Sequence, residues 1–381
     1  MLNFDFCNPT HIVFGKDRMG ELNNLVPKDA RVLITYGGGS VERFGTLDLI
    51  IQNLGERAIF KFGGIEPNPK FTTLMKAVEI VKTEKIDFLL AVGGGSVMDG
   101  TKFIALASNY DGDAEEILHG AQPSAATPMG TVVTLPATGS EMNNGGVISH
   151  KDFKVPVFSP YTFPKFSILD PTLTFTLPET QVANGIIDTF VHVTEQYVTF
   201  PAEGRFQDRT AEGILQTLIE IGRETMDNPT DYNLRANLVW CATMGLNGLI
   251  GAGVPQDWSA HMIGHDLTAL FGIDHGKTLA VIQPAIWKIR KEKKFGKLLQ
   301  FAERVWHITE GTDEERIDLA IEKTTQFFQS LGVKTKLSDY GVRSEDMDKI
   351  IASLEKGGRT HLSETEDMTL DVTRKVLETA L

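Results

Sequence analysis

Asp188 and His192 lie four residues apart in Gly185-Ile-Ile-Asp188-Thr-Phe-Val-His192, a spacing that brings both side chains to one face of a helix. The same interval recurs in Trp258-Ser-Ala-His261-Met-Ile-Gly-His265, and His275 follows just ahead of Gly276. His192, His261, His265 and His275 are four of the chain's nine histidines. A carboxylate grouped with imidazoles suits a borderline divalent ion such as Fe2+ or Zn2+, and such a centre acts as a Lewis acid when one coordination position stays open. Spacing does not say which histidines bind, because His261 and His265 fall on the same helix face.

A second chemistry is written in glycine. Phe88–Val92 runs into Gly93-Gly94-Gly95-Ser96 and then into a helical segment carrying Asp99 and Lys102. Bare backbone amides at a helix amino terminus bind phosphate, and glycine lets a pyrophosphate approach the main chain closely. The motif is neither G-x-G-x-x-G nor a Walker A sequence. Thr134-Leu-Pro-Ala-Thr138-Gly-Ser140-Glu141 adds hydroxyls and small residues that could line the same crevice. The turn type also closes Ile34-Thr35-Tyr36-Gly37-Gly38-Gly39-Ser40, with no acid before Glu42. An acid near this point commonly binds the ribose hydroxyls of NAD and would repel a 2′-phosphate. Its absence, with three glycines leaving room, favours NADP(H).

The elements that must position these residues come in two styles. Short apolar runs ending in glycine, Arg31–Tyr36, Ala58–Phe62 and Phe88–Val92, alternate with helical stretches. That is the pattern of a parallel sheet buried on both faces. Further strands are expected from Gly130 to about Asp170, in TVVTLP and FSILDP. Beyond Pro178, the segments 181–199, 203–226, 234–249 and 313–331 carry apolar residues at three- and four-residue spacing, so this half is expected to be helical. Thr312 with Glu315 forms a capping box at one helix start, and Gly332 marks its end. The reading is a dinucleotide-binding α/β domain over 1–178 and an all-α metal- and substrate-binding domain over 179–381.

Composition narrows the partners. The formal charge is −13 with no long basic run, which argues against nucleic acid and anionic membranes. No stretch reaches the roughly 18 apolar residues that span a bilayer. The amino terminus does not read as a signal peptide, and the two distant cysteines, Cys7 and Cys241, offer neither a disulfide framework nor a thiolate metal site. A cytoplasmic enzyme of small molecules is expected.

Taken jointly, Gly93-Gly-Gly-Ser96 with Asp99 and Lys102, Thr138-Gly-Ser-Glu141, Asp188-x3-His192 and His261-x3-His265-x9-His275-Gly276 resemble the iron-containing alcohol dehydrogenase family over nearly the whole chain. Within it the sequence is most similar to the NADPH-dependent aldehyde reductase and butanol dehydrogenase branch. The resemblance implies a Rossmann-like α/β domain followed by an all-α domain, the dehydroquinate synthase-like arrangement. It implies a metal between the domains held by Asp188, His192, His261 and His275, and a substrate-pocket role for His265. Gly37, Gly38 and Ser40 are then expected near the adenosine ribose, Asn68 near the adenine, and Gly94, Gly95 and Ser96 at the pyrophosphate. Asp99, Thr134, Thr138, Asn143 and Lys154 would serve the cofactor further along, and a homodimer is expected.

The expected chemistry is reduction of an aliphatic aldehyde by NADPH at a metal-polarised carbonyl, with His265 as proton relay. Trp258, Met262, Leu267, Leu270 and Phe271, with no Lys or Arg between Trp258 and Phe271, suit such substrates. Two rivals are a glycerol dehydrogenase-like NAD enzyme of the same fold, whose substrates need polar partners, and a metal-dependent hydrolase or oxygenase, which would not require the glycine turns.

Overall fold

Strands that are apolar at every position need cover on both faces, and in the computed structural model, which describes residues 1–151 and 153–381, the central run Phe88–Gly93 has it, whereas Ala58–Phe62, at an edge of the sheet, keeps Ala58 and Lys61 exposed. The strands before Pro178 are β1 (His11–Phe14), β2 (Arg31–Tyr36), β3 (Ala58–Phe62), β4 (Phe88–Gly93), β5 (Met129–Val133), β6 (Gly145–His150), β7 (Phe153–Phe158) and β8 (Phe166–Leu169). Six of them form one sheet in the order β1-β8-β5-β4-β2-β3, every neighbouring pair parallel, and β6 and β7 form a separate antiparallel hairpin. Side chains alternate between two cores, as the strand period requires. Val32, Ile34, Leu90 and Val92 face Leu47, Ile50 and Leu54 of helix α1 (Thr46–Leu54). Leu33, Leu89 and Ala91 face Ala77 and Val78 of α2 (Phe71–Thr83) and Phe103 and Ile104 of α3 (Gly95–Ala107).

Topology then selects a place on the sheet. From β2 the chain runs outward to β3 and crosses back to set β4 on the other side of β2. The winding therefore reverses between β2 and β4, and in open α/β sheets ligands bind beyond the carboxyl ends of the strands at such a reversal. Tyr36 pairs with Val92, so the two glycine turns leave the sheet side by side.

This sheet-bearing unit comprises Cys7–Leu177 and, from far along the chain, Pro229–Thr243. Within the returning segment Val239 joins the second core, Trp240 meets Phe14 edge-on at 5.8 Å, and Thr243 Oγ1 donates to Glu141 Oε1 at 2.6 Å.

The other unit comprises Met1–Phe6, Pro178–Asn228 and Met244–Leu381. It is built on α4 (Glu179–Tyr197), α5 (Arg205–Asp227), the end of α6 (Tyr232–Gly245), α7 (Ser259–Phe271), α8 (His275–Ile289), α9 (Phe295–Arg304) and α10 (Asp313–Ser330), with further short helices after it. It is not strictly all-α, because His361–Leu362 and Met368–Thr369 form a short antiparallel pair, β9 and β10. Helix α4 is its axis, buried without a break from Gly185 to Tyr197. On its apolar side Phe190 packs edge-on against Phe328 at 5.4 Å, within a cluster that includes Phe301 and Trp287. The opposite side carries Asp188, His192 and Glu195, all buried. Among the described residues no helix is long and apolar enough to cross a membrane.

The expected capping box is formed: Glu315 N–H donates to Thr312 Oγ1 at 3.3 Å, while Thr312 N–H donates to Glu315 Oε2 at 2.8 Å. Thr312→Ala removes the first of these and should lower unfolding stability by about 1 kcal/mol. In urea titration the midpoint should fall with no change in slope; an unchanged midpoint would show that the cap contributes nothing.

Candidate functional site

Three helices deliver imidazoles to one carboxylate. Asp188 and His192 share a face of α4, His261 sits in the first turn of α7, and His275 opens α8. Around Asp188 Oδ1 stand His192 Nδ1 at 3.5 Å, His261 Nε2 at 3.6 Å and His275 Nε2 at 3.7 Å. The approach of α8 depends on Gly276, because a Cβ there would lie 2.8 Å from the Cα and carbonyl oxygen of Asn184 on α4. A side chain at 276 would push His275 away from Asp188.

These separations are too long for hydrogen bonds, and Asp188 Oδ1 and His261 Nε2 are buried atoms with no hydrogen-bond partner. Donors about 2.1 Å from a tetrahedral metal ion stand about 3.4 Å from one another. The gaps thus match lone pairs arranged around a cation, and the mixed oxygen and nitrogen set suits Fe2+ or Zn2+. Asp188, His261 and His275 offer ligand atoms all within 4.8 Å of one another; His192 faces Asp188 but lies outside that set. His265 stands further back, its ring centroid 5.2 Å from that of His275 and 6.3 Å from that of His261. Burial alone would raise the Asp188 carboxyl, but the neighbouring imidazoles, His192 foremost, hold it below the usual carboxylate range. Burial lowers His261, yet the charges of Glu195 and Asp188 carry it up to about 9.

Glu195 escapes a reading confined to histidine spacing. It is buried, and its Oε2 is bonded to His261 Nδ1. Its Oε1 accepts from Ala260 N–H at 2.7 Å, which fixes the start of α7. The signal was available in the sequence: positions 188, 192 and 195 fall on one face of a helix.

At the carboxyl edge of the sheet, Gly94 caps α3 and Gly95 begins it. A Cβ on Gly95 would overlap Thr138, and one on Gly94 would lie 3.0 Å from Leu135 Cβ, so the loop of residues 135–138 closes over bare backbone. Beside β2, a Cβ on Gly38 would meet nothing within 4 Å. Ser40 opens a short helical turn, and Asn68 N–H reaches Ser96 Oγ at 3.3 Å from a left-handed backbone. Thr134 follows β5 with its N–H on Gly93 O at 2.9 Å. Glu42 does approach this turn: its Oε1 accepts from Tyr36 Oη at 2.8 Å, and its Oε2 lies 3.5 Å from where a Cβ on Gly39 would be.

Asp99, expected near the cofactor, has both oxygens engaged by the protein, from Ser140 Oγ at 2.7 Å and Val147 N–H at 3.0 Å. Lys102, one turn on, donates to Ser140 Oγ, Asn143 Oδ1 and Gly145 O at 2.8, 2.9 and 2.8 Å. The pair clamps the loop bearing Asn143, and the hairpin carrying buried Lys154, onto α3.

Comparison with known proteins agrees with both halves of this geometry. Residues 9–171 match the iron-containing alcohol dehydrogenase model, and 182–381 match the carboxy-terminal model of the Fe-containing alcohol dehydrogenase family. The chain is 54% identical to the NADPH-dependent aldehyde reductase YqhD of Escherichia coli K12, covering 100% of both chains. The crystal structure of E. coli K-12 YqhD superposes with a TM-score of 0.98 at 54% identity, covering 100% of this chain and 99% of that one. An NADH-dependent butanol dehydrogenase A from Thermotoga maritima superposes with a TM-score of 0.94 at 34% identity, covering 100% and 99%.

The buried lysine has a measurable signature. Burial pushes Lys102 down to about 8 from the ordinary 10.5, against the pull of Asp99 and Glu141. Between those values the unfolded chain holds a proton that the folded protein has released, so Lys102 should make stability rise with pH from about 8 to about 10.5. The gain should reach about 2–3 kcal/mol. Urea unfolding of the wild type and Lys102→Met at pH 7.5 and pH 10 isolates it, with the wild type gaining over the variant. A difference that stays flat or reverses refutes the assignment.

Proposed function

The chain belongs to the iron-containing alcohol dehydrogenase family, and from that premise we propose that it is a metal-dependent oxidoreductase that reduces small to medium aliphatic aldehydes to alcohols, and runs the reverse oxidation, with NADP(H). The observation that carries this reading is the convergence of three imidazoles on buried Asp188 Oδ1, which has no hydrogen-bond partner. In this reading Asp188, His192, His261 and His275 hold one Fe2+ or Zn2+ ion. Gly94, Gly95 and Ser96 turn open amides to the pyrophosphate, Gly37, Gly38 and Ser40 take the adenosine ribose, and Asn68 the adenine. Thr134, Thr138, Asn143 and Lys154 line the remaining course of the cofactor, and Asp99 acts through the loop it holds.

When bound, the ion supplies Lewis-acid polarisation of a carbonyl and the reduced nicotinamide supplies the hydride. The protein's own side chains shape what can react. Trp258, its ring 5.4 Å from that of His261 and 6.1 Å from that of His192, walls the centre with an apolar surface. Met262 is partly buried on α7, whereas Leu267 is a core residue and takes no part. Of the nearby cations, Arg359 is paired with Asp266 and Lys277 with Asp274, which disfavours the glycerol dehydrogenase-like alternative. In this reading His265 serves as the proton relay to the product oxygen. The family's glycine turns disfavour a hydrolase or oxygenase.

Two further parts of the reading are coarser. Strand β1 lies at an edge of the sheet, where a second copy could pair across a two-fold axis to make a homodimer; a monomer by light scattering would remove that element. The unpaired thiols of Cys7 and Cys241 fit a reducing cytoplasm.

Metal-replete protein with butanal should consume NADPH, seen as loss of the reduced-nicotinamide absorbance, and in the reverse direction with NADP+ should oxidise butanol in preference to glycerol. No loss across several aldehydes would overturn the proposal. Asp188→Ala should lose bound metal and turnover together, whereas a metal-free variant with full activity would sink the ligand assignment. Gly38→Asp places a carboxylate in open space and should lower the NADPH to NADH ratio of kcat/KM about ten- to a hundredfold. A wild type that prefers NADH, or a variant with an unchanged ratio, would refute this reading of the turn.

A further inference from the structure

The carboxylate behind His261 is tied to the centre more closely than burial alone requires. Glu195 Oε2 is bonded to His261 Nδ1, the nitrogen facing away from Asp188, while Oε1 accepts from the backbone of Ala260 at 2.7 Å and of His261 at 3.4 Å. The main chain joins the same junction, with Asp257 N–H donating to Glu195 O at 2.8 Å. One residue therefore holds both the ring of His261 and the helical turn that carries it. An imidazole that binds metal is neutral, with one N–H and one lone pair, so a proton held on Nδ1 by Glu195 would leave the lone pair on Nε2 for the ion. Nε2 stands 3.6 Å from Asp188 Oδ1.

We infer that Glu195 is a positioning residue of the metal centre, which sets the His261 tautomer, fixes the ring plane and raises the donor strength of Nε2 toward a divalent ion. Carboxylates behind metal-bound histidines act in this way, and losing them typically weakens metal binding about ten- to a hundredfold. Placement on α4 makes the arrangement economical in geometry. Asp188, His192 and Glu195 rise from one helix face, so one rigid element carries two of the candidate ligands and the group that orients a third. Nearby charge does not compete for His261: Asp257 is paired with Lys294 at 2.8 Å, and Lys294 is also bound to Glu364 at 2.9 Å.

The inference rests on the metal reading of Asp188, and the experiment separates the two. Zn2+ affinity is measured by chelator competition, and Co2+ is loaded as a spectroscopic probe, for the wild type, Glu195→Gln and Glu195→Ala. Urea unfolding of the metal-free proteins reports on folding independently. Glu195→Gln keeps size and a neutral acceptor and should bind Zn2+ about tenfold more weakly, with an altered Co2+ ligand-field spectrum; Glu195→Ala should lose about a hundredfold. If the wild type binds Zn2+ tightly and the folded variants match it within twofold, this inference falls and the metal reading stands. If the wild type binds neither ion, both fall. A Glu195→Gln protein that does not fold without metal would assign Glu195 to the helix junction alone and would also overturn the inference.

Discussion

An ionised carboxylate taken out of water must find positive charge or donors nearby, and the helical unit is organised around that demand at Asp188. Removing such a group from solvent costs several kcal/mol before any compensation. Helix α4 is buried without a break from Gly185 to Tyr197, so what faces Asp188 is protein rather than water: His192 on the same helix and imidazoles from two others. α7 and α8 each turn an imidazole inward, and Gly276 permits the close packing that brings the second one in. The result is a set of electron pairs facing one another, which is poor as a finished protein interior and suitable as a cradle for a cation.

The sheet-bearing unit buries a charge too, with the opposite outcome. Lys102 is as inaccessible as Asp188, but it has Asp99 and Glu141 close by, and carbonyl and hydroxyl oxygens directly on its ammonium. The ammonium finds three acceptors within the protein, Ser140 Oγ, Asn143 Oδ1 and Gly145 O. Its task is to hold the loop beside the glycine turns, where the backbone of Gly94 and Gly95 is kept bare. The helical unit leaves Asp188 Oδ1 without a hydrogen-bond partner, whereas the sheet-bearing unit surrounds the Lys102 ammonium with acceptors.

Much of this was legible from sequence because it rests on short-range geometry. The helix period alone put Asp188 beside His192, and apolar runs announced strands β2, β3 and β4; the cover on both faces holds for β4 and for β2 from Val32, but not for β3, an edge strand with Ala58 and Lys61 exposed. The choice between His261 and His265 was not local, since both fall on one face of α7; it is made by Glu195 on another helix and by the approach of α8. Asp99 sits where a cofactor contact would be expected, but its oxygens are taken by Ser140 and Val147, partners distant in sequence. Leu267 and Met262 look alike as apolar residues after His261, and only packing sends Leu267 to the core. Periodicity likewise gave α6 the character of its helical neighbours, while its partners Phe14 and Glu141 lie far back along the chain.

That return of the chain has a consequence for biosynthesis. The sheet unit's residues 7–177 leave the ribosome first, yet Val239 belongs to their core, and Trp240 and Thr243 contact Phe14 and Glu141. With elongation at about 5–20 residues per second, the nascent sheet waits on the order of several seconds for its last helix, its apolar face meanwhile open to solvent or to a chaperone. The sheet-bearing unit is completed only after Pro178–Asn228 of the other has emerged.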